Sequence, residues 1–396
     1  MKEQHFFNRH VDFALTCLDK HESGKPFHPT LHQYFKSNRQ FGSRDRKTIK
    51  NLCYNWFRLG YSFGKLSRKD QMVLSNLCIT ESVPEWMLGL FDVFVLPPSW
   101  IEWSLQNRLE FLEKHLEWNT NEVFPEMDKM SSEVNKEVFI PHLFKQPLVW
   151  FRCKNANEYD DVCKKLSDVT IKENKALGVS AGHLLDSSGV SKQIEIQDYS
   201  SQEVFKAINL DGVQSVWDCC CASGGKSLTL LDRTKSINIC ASDSRKSILS
   251  NFIKRTGRHR YRVWSAVVDL AKPISKIKFE SKQNSVEKTA PGFDLVVADL
   301  PCSGSGTWNR NPEFKSASQH NVLKYRELQQ QIVQNAWPFV KKGGRLLYTT
   351  CSVYKAENED NLKSLNLDGM EVVNQGYVHG YEHDSDTMFY AELKKI

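Results

Sequence analysis

The sequence lacks any long hydrophobic run. No apolar stretch approaches the length that spans a bilayer, and the first ten residues, MKEQHFFNRH, do not have the pattern of a secretory signal peptide. Collagen-like and low-complexity repeats are also absent, and a hydrophobic content of 40% with 22 Phe excludes a disordered chain. These absences predict a globular, cytoplasmic protein that does not bind membranes.

The sequence also lacks a CxxC pair, although it contains 11 cysteines. The adjacent Cys219, Cys220 and Cys221 cannot all turn towards one tetrahedral ion, and no nearby histidine completes a site. An odd number of cysteines without a secretory signal favours free thiols over a disulfide framework. We therefore expect no metal.

The net charge of the whole chain is only +6, but acidic residues are scarce in two stretches of it. Residues 36–50 carry six Lys/Arg against Asp45 alone, and residues 244–262 carry seven Lys/Arg and no acid. Such a stretch is either the solvated face of a helix or a surface that contacts nucleic-acid phosphates.

The chain is too long for one ordinary domain, and its texture changes twice. Residues 1–140 have helical spacing of apolar side chains, with Phe7, Val11, Ala14, Leu15 and Leu18 on one face of a predicted helix. A second predicted helix buries Ile49, Cys53 and Phe57. Residues 141–205 mix short strands with a helix and predict a small α/β module.

Residues 206–396 alternate apolar strands with helices, which predicts a parallel, doubly wound α/β sheet. Strands are expected over residues 214–220, 237–243, 262–269, 293–300 and 343–351, with short strands near 370 and 387. The polar, Lys/Ser-rich stretch 272–292 is expected to be an exposed loop.

In such sheets ligands bind at the carboxyl ends of the strands. A glycine-rich turn follows the first predicted strand, where glycine lets the backbone approach a ligand and enter a helix. Asp243, Asp269 and Asp299 end the next three strands, and an acid after the second strand commonly holds ribose hydroxyls. The pattern predicts a nucleoside-containing cofactor.

The string Gly224-Gly225-Lys226-Ser227 also resembles part of a phosphate-binding P-loop, GxxxxGK[ST]. The first glycine of that pattern would fall at position 220, which is cysteine. A cofactor without a triphosphate is therefore the better interpretation.

Two cysteines, Cys302 and Cys351, follow the fourth and fifth predicted strands. A single buried cysteine is most simply packing. Both of these, however, are in Gly/Ser-rich or Thr/Ser-rich turns on the ligand side of the sheet, where a thiol can meet a substrate and ionise. They are candidate nucleophiles.

Long segments of the chain resemble the RsmB/Sun (Fmu) type of RNA 5-methylcytosine methyltransferase, within the RsmB/NOP/NSUN superfamily. The family signatures DxCAAPGGKT, DxPCSGxGxxRRxPE and GGxLVYSTCSxxxxENE correspond here to DCCCASGGKS, DLPCSGSGTWNRNPEFK and GGRLLYTTCSVYKAENED. IQDYSSQEVF is similar to the family's QDxASQ segment, and the basic N-terminal region more loosely resembles a NusB-like RNA-binding domain.

The resemblance implies a Rossmann-like class I methyltransferase sheet over 206–396, an RRM-like module over 141–205 and a helical NusB-like domain over 1–140. It also implies S-adenosyl-L-methionine as cofactor and RNA, first of all small-subunit ribosomal RNA, as substrate. We expect the protein to act as a monomer. Within the family, Cys351 is the nucleophile and Cys302 assists product release. Asp243, Asp269 and Asp299 hold the nucleoside of the cofactor. The glycine-rich loop binds its methionine part through Cys220, Cys221, Ala222, Ser223, Gly224, Gly225 and Lys226.

Cytosine chemistry explains the need for a nucleophile. Carbon 5 of cytosine attacks a methyl donor only after a thiolate has added at carbon 6, so covalent catalysis is required. Asp299 is expected to hydrogen-bond N3 of the base, a catalytic role that needs a raised pKa.

The sequence departs from the family signatures at Ser223, where the loop has proline, and at Asn309, where an arginine pair begins. Four alternatives stay open: a transfer RNA methyltransferase, a DNA cytosine-5 methyltransferase that attacks with the Pro-Cys cysteine, a small-molecule methyltransferase, and a catalytically silent RNA-binding assembly factor.

Overall fold

The computed structural model divides into two compact units. One comprises residues 1–128, 135–146 and 307–320, and the other comprises residues 129–134, 147–306 and 321–396. The structure describes all residues except 1, 81–84, 117, 119, 125, 155, 167–168, 172–174, 182–184, 186–187, 235, 259–262 and 316–320. The predicted division into three modules stays a prediction.

The first unit is helical. Its α-helices are α1 (Lys2–Leu18), α2 (Phe27–Ser37), α3 (Ser43–Arg58), α4 (Arg68–Ile79), α5 (Phe91–Phe94), α6 (Leu105–His115), α7 (Thr120–Val123) and α8 (Lys136–His142). Sequence periodicity explains why α1 and α3 pack, since the predicted apolar faces are buried except for the half-buried Leu15. No helix in the described part of the chain is both long and apolar enough to cross a membrane.

The second unit begins with a small antiparallel sheet. It contains β1 (Val149–Cys153), α9 (Tyr159–Lys165), β2 (Thr170–Ile171), β3 (Leu177–Val179) and β4 (Ile194–Ile196), in the strand order β2-β3-β1-β4. Phe151, Leu177 and Ile194 are buried in its core with Val162 of α9. Helix α10 (Tyr199–Glu203) follows. The fold-class prediction of a small α/β module is confirmed.

A nine-stranded sheet forms the rest of the second unit. Its first elements are β5 (Ser215–Asp218), α11 (Gly225–Arg233), β6 (Asn238–Asp243), α12 (Lys246–Arg258), β7 (Val263–Val267), β8 (Lys276–Glu280) and β9 (Ser285–Thr289). They are followed by β10 (Phe293–Asp299), α13 (Val322–Ala336), β11 (Val340–Thr350), α14 (Glu359–Ser364), β12 (Met370–Val378) and β13 (Met388–Lys395). The strand order is β12-β13-β11-β10-β5-β6-β7-β8-β9.

The centre of this sheet is parallel. Strands β7, β6, β5, β10 and β11 run in one direction, whereas β13 pairs antiparallel with β11. The chain proceeds outward from β5 through β6 to β7 and then returns to β10 on the other side of β5. Strand order therefore reverses between β5 and β10, which is where doubly wound sheets bind ligands. The prediction of a Rossmann-like sheet is confirmed.

The prediction of an exposed loop over residues 272–292 is wrong. Residues 276–280 and 285–289 form the antiparallel hairpin β8–β9, which extends the sheet beyond β7. Ile277 and Phe279 alternate with lysines and are buried in the core of the large sheet. This two-residue alternation is the usual pattern of a half-buried strand, and the Lys/Ser-rich composition obscured it.

Candidate active site

The glycine-rich loop connects β5 to α11. Gly224 has φ of +87°, and a Cβ atom there would lie 2.2 Å from a ring carbon of Phe252. The position therefore excludes a side chain both by backbone conformation and by space. Ala222 also has a positive φ of 45°, and its N–H donates to an Asp243 carboxylate oxygen at 3.1 Å. The end of β6 thus holds the turn in place.

Two of the three adjacent cysteines at the start of this loop are buried in the protein interior. Cys219 and Cys221 are buried, and burial raises the pKa of the Cys221 thiol. The backbone N–H groups of Cys219 and Cys221 donate to carbonyls of Val297 and Ser242, so the loop is tied to two neighbouring strands. Among the described residues no group of three or more His, Cys, Asp or Glu could hold a metal ion.

Asp218, the last residue of β5, is buried beneath the loop. One carboxylate oxygen accepts a hydrogen bond from Ser227 at 2.6 Å, and the other, Oδ1, has no partner among the described residues. Burial raises the pKa of this carboxyl to about 7. An unsatisfied buried acceptor below a backbone cradle fits a ligand that carries an ammonium group, as a methionine moiety does.

Asp243, the last residue of β6, is predicted to hold ribose hydroxyls. Its carboxylate is 5% exposed and accepts hydrogen bonds from the backbone and the guanidinium of Arg245. Burial opposes ionisation, but the hydrogen bonds from Arg245 and Ala222 outweigh it and lower the pKa of Asp243. The Arg245 side chain is 60% exposed, so it can move aside for a ligand.

Asp269 follows β7 at the same edge of the sheet but is more open. Its carboxylate is 48% exposed, lies 3.4 Å from the Lys272 ammonium, and accepts the N–H of Ala271 at 3.1 Å. The structure therefore places all three strand-end acids at one edge. Asp243 is the most enclosed of the three.

Asp299, the last residue of β10, forms an ion pair with the glycine-rich loop. The Lys226 ammonium lies 2.7 Å from Asp299 Oδ2, with the Lys226 side chain only 7% exposed and that of Asp299 34% exposed. Both residues were predicted as parts of the site from separate motifs, but their pairing was not predicted. The pair connects the carboxyl ends of β5 and β10.

The two predicted cysteines lie side by side. The Sγ atoms of Cys302 and Cys351 are 3.3 Å apart, and both residues are half-buried. The hydrogen bond with Cys351, followed by burial, raises the pKa of Cys302 well above its ordinary value. Cys302 is therefore held as a thiol beside the sulfur of Cys351.

Glu357 was missing from the predicted site, although it lies in the last of the quoted signatures. It is fully buried and bonds to residues that directly follow both cysteines, namely Ser303 and Ser352. Its position within ENE was the available sequence signal, but spacing along the chain did not reveal that it bridges two turns.

A family model matches the part of the chain that contains the large sheet. Residues 206–394 match the model of the family 16S rRNA methyltransferase RsmB/F. These residues, just under half of the chain, are similar to an RsmB/F methyltransferase domain. The cofactor of this class of methyltransferase is S-adenosylmethionine, which confirms the cofactor that the family resemblance implied. It also agrees with the nucleoside-containing cofactor predicted from the glycine-rich loop and the strand-end acids.

Similarity to known proteins can be longer than the 206–394 match. A ribosomal RNA small subunit methyltransferase B from Pasteurella multocida is 25% identical in an alignment of 273 residues, which covers 63% of this chain and 60% of that protein. The protein of the same name from Shewanella oneidensis is 28% identical over 213 residues, 50% of this chain and 47% of that protein. The chain thus spans about half to three-fifths of the length of these curated relatives.

Solved structures support the fold. The protein PH0851 aligns with a TM-score of 0.66 at 20% identity, over 94% of this chain and 95% of its own. A methyltransferase homolog protein from Pyrococcus horikoshii aligns with a TM-score of 0.51 at 17% identity, over 79% of this chain and all of its own. At these identities the likeness concerns the fold alone.

Proposed function

We propose that the chain is an S-adenosylmethionine-dependent RNA cytosine-5 methyltransferase that uses Cys351 as its covalent nucleophile. The observation that carries this proposal is the contact of Cys302 and Cys351, with Sγ atoms 3.3 Å apart, at the carboxyl ends of two adjacent strands of the RsmB/F domain. One thiol kept protonated beside a second sulfur suits a reaction in which one cysteine attacks and the other handles a proton.

The reaction needs a thiolate because cytosine carbon 5 is a weak nucleophile. Addition of the Cys351 thiolate to carbon 6 converts the ring into an enamine, whose carbon 5 then takes the methyl group. Removal of the carbon 5 proton restores the double bond between carbons 5 and 6 and expels the Cys351 thiolate. The carbon 5 proton passes to solvent. Cys302 assists this second half, because its raised pKa keeps it a thiol that can donate its S–H to the departing Cys351 sulfur 3.3 Å away.

Asp299, at the end of β10, is the third residue to which we assign a role in this reaction. It lies three positions before Cys302 in the chain, and we assign to it the hydrogen bond with N3 of the base. Lys226, whose ammonium is 2.7 Å away, fixes the position of the Asp299 carboxyl. Lys226 thereby connects the base-binding residue to the loop that we assign to the cofactor.

The chain's own residues fit the cofactor's parts. The turn from Cys220 to Lys226 would hold the methionine moiety above Asp218, and Asp243 and Asp269 would hold the nucleoside. When bound, S-adenosylmethionine supplies an electrophilic methyl group on a sulfonium. No metal enters this scheme.

Small-subunit ribosomal RNA is the substrate that we favour, because the curated relatives carry that substrate in their names. Transfer RNA is the second candidate, and a silent assembly factor is disfavoured because Cys351, Cys302 and Asp299 are all present. The protein is expected to act as a monomer in the cytoplasm.

An exposed basic surface in the helical unit supports an RNA substrate. A pocket of about 550 Å³ is lined by aromatic and basic side chains without any acid, namely His32, Phe35, Lys36, Arg39 and Arg46. Basic groups around a half-buried ring suit phosphates and an unstacked base.

The test separates the two cysteines. In Cys351→Ala no adduct can form, so this variant is expected to be inactive. Cys302→Ala is expected to attack and methylate the base and then stall, which leaves a covalent protein–RNA complex that survives denaturing electrophoresis. Each variant is mixed with ribosomal RNA and the cofactor, and the shifted band is scored.

The unmodified protein and the double variant are the controls, since neither should accumulate the complex. A shifted band with Cys351→Ala but not with Cys302→Ala would make Cys302 the nucleophile, as in the DNA enzymes. A band with neither variant, together with no methylation by the unmodified protein, would favour the silent assembly factor.

A further inference from the structure

Glu357 sits at the centre of a buried hydrogen-bond network. Its Oε1 accepts the N–H of Ser303 at 2.8 Å and a side-chain N–H of Gln329 at 3.2 Å. Its Oε2 accepts the hydroxyls of Ser303 and Ser352, each at 2.5 Å. One side chain thus binds the residue after Cys302 and the residue after Cys351.

The two serines are connected to each other as well. The Oγ atoms of Ser303 and Ser352 are 3.1 Å apart, and Ser305 Oγ lies 3.2 Å from Ser352 Oγ while accepting the N–H of Val353 at 2.9 Å. All of these groups are buried. The turns that carry the two cysteines therefore share one polar core.

A carboxylate suits this core because every partner of its oxygens is a donor. An amide in the same place would direct N–H donors at some of the groups that now donate, whereas an ionised carboxylate only accepts. The charge is costly, since burial raises the pKa of Glu357 and no ion-pairing cation lies within reach among the described residues. Glu357 accepts four hydrogen bonds although its buried charge is costly. This favours a specific positioning role over simple packing.

We propose that Glu357 is a positioning residue that sets the separation of Cys302 and Cys351 by holding the serine after each of them. Its catalytic consequence rests on the function proposed above, whereas its effect on the two thiols does not. Without Glu357 the two turns lose their common acceptor, and the sulfur atoms no longer keep one fixed distance.

The first test measures the thiol pair without any methyl transfer. Phenylarsine oxide condenses with two neighbouring thiols, forming two As–S bonds and releasing one water, so its affinity reports how well the pair is prearranged. Titration of the full-length protein should show a tight equivalent that Cys302→Ala and Cys351→Ala both lose. Glu357→Gln should weaken this equivalent about tenfold, as expected for loss of a hydrogen bond to a charged group.

Glu359→Gln is the matched control. Glu359 is two residues away and half-buried, but its carboxylate accepts from Ser131 and Tyr377 instead of the cysteine turns. It should bind the arsenical within about twofold of the unmodified protein. Equal affinity in Glu357→Gln and Glu359→Gln, or no paired equivalent in the unmodified protein, would overturn the proposal.

The second test uses kinetics to separate positioning from a general loss of structure. Glu357→Gln should lower kcat for methyl transfer about tenfold while leaving KM for RNA and for the cofactor unchanged. Ser352→Ala, which removes one arm and keeps Glu357, should give a smaller loss of the same kind. Because both changes act through one network, the double variant should be no slower than Glu357→Gln alone.

The two proposals fail in distinguishable ways. If the arsenical binds as expected but the protein does not methylate RNA, the positioning role of Glu357 stands and the proposed function is wrong. If the Glu357→Gln variant methylates RNA at the normal rate, the positioning role of Glu357 is wrong and the proposed function stands.

Discussion

The Lys226 ammonium and the Asp299 carboxylate form an ion pair at 2.7 Å that joins the glycine-rich loop after β5 to the turn that leads to Cys302. Strands β5 and β10 are neighbours in the sheet but are separated by residues 219–292, a stretch of 74 residues. The reversal of strand order brings them together. The cofactor loop and the base-binding acid are consequently held by one contact.

Replacing Lys226 by Met should separate these two elements. Asp299 would lose its partner inside a mostly enclosed site, so we expect cofactor affinity and kcat each to fall about tenfold. Calorimetry and single-turnover methylation measure the two effects. Lys272→Met is the control, because Lys272 pairs with Asp269 from a 79% exposed position and should have little effect. Similar behaviour of the two variants would remove the role given to Lys226.

Asp243→Ala should weaken binding of S-adenosylmethionine by about 1 to 3 kcal/mol, the value of a lost hydrogen bond to a charged group. The reason is its enclosed carboxylate at the end of β6. Arg245→Ala is the companion variant, since it frees the Asp243 oxygens and should leave the affinity unchanged or raised. Calorimetry that finds no loss in Asp243→Ala would remove this residue from the ribose site.

Asp218→Asn should make the protein more stable at high pH and worse at binding its cofactor. The buried carboxyl has a pKa of about 7, above its unfolded value of 3.8, so the native state holds a proton that the unfolded state releases. Its contribution to the free energy of unfolding is therefore full below pH 4, declines as the pH rises towards 7 and is lost above it. The largest gain from Asn at pH 8 is about 4 kcal/mol.

Thermal unfolding of both proteins from pH 5 to pH 8 checks this. The melting temperature of Asp218→Asn should exceed that of the unmodified protein by a margin that grows with pH. A constant margin would show that the Asp218 carboxyl is already ionised in the native protein at pH 5.

Neutralising the basic stretch around α2 and α3 should weaken RNA binding by a similar factor for all RNA sequences and reduce its dependence on salt. Each lost phosphate contact lowers the slope of log affinity against log salt by about 0.7 for single strands. The four exposed side chains to be changed to Gln are Arg39, Arg44, Arg46 and Lys47.

Three basic residues of the same unit provide the control. Lys25, Arg68 and Lys69 are paired with Glu22, Asp19 and Asp12 on the surface, so changing them to Gln should leave the salt slope nearly unchanged. An equal slope for the two variants would mean that the stretch is only a solvated helix face.

Much of the fold was predictable from local patterns. Strands β5, β6, β10 and β11 each contain a short apolar run typical of strands buried on both faces, and α1 and α3 show helical spacing. The hairpin β8–β9 was missed because its alternation is short and its exposed positions carry lysine. Composition outweighed periodicity there, and periodicity was the better guide.

The sequence by itself determined which chemical groups the protein has: two cysteines after strands, acids at strand ends and a glycine-rich turn, each encoded within a few neighbouring residues. Only the tertiary structure decided their partners. The contacts between Lys226 and Asp299, between Cys302 and Cys351, and from Glu357 to Ser303 depend on strand order in the sheet. Strand order follows from packing both faces of the sheet at once, a property of the whole chain that no local spacing encodes.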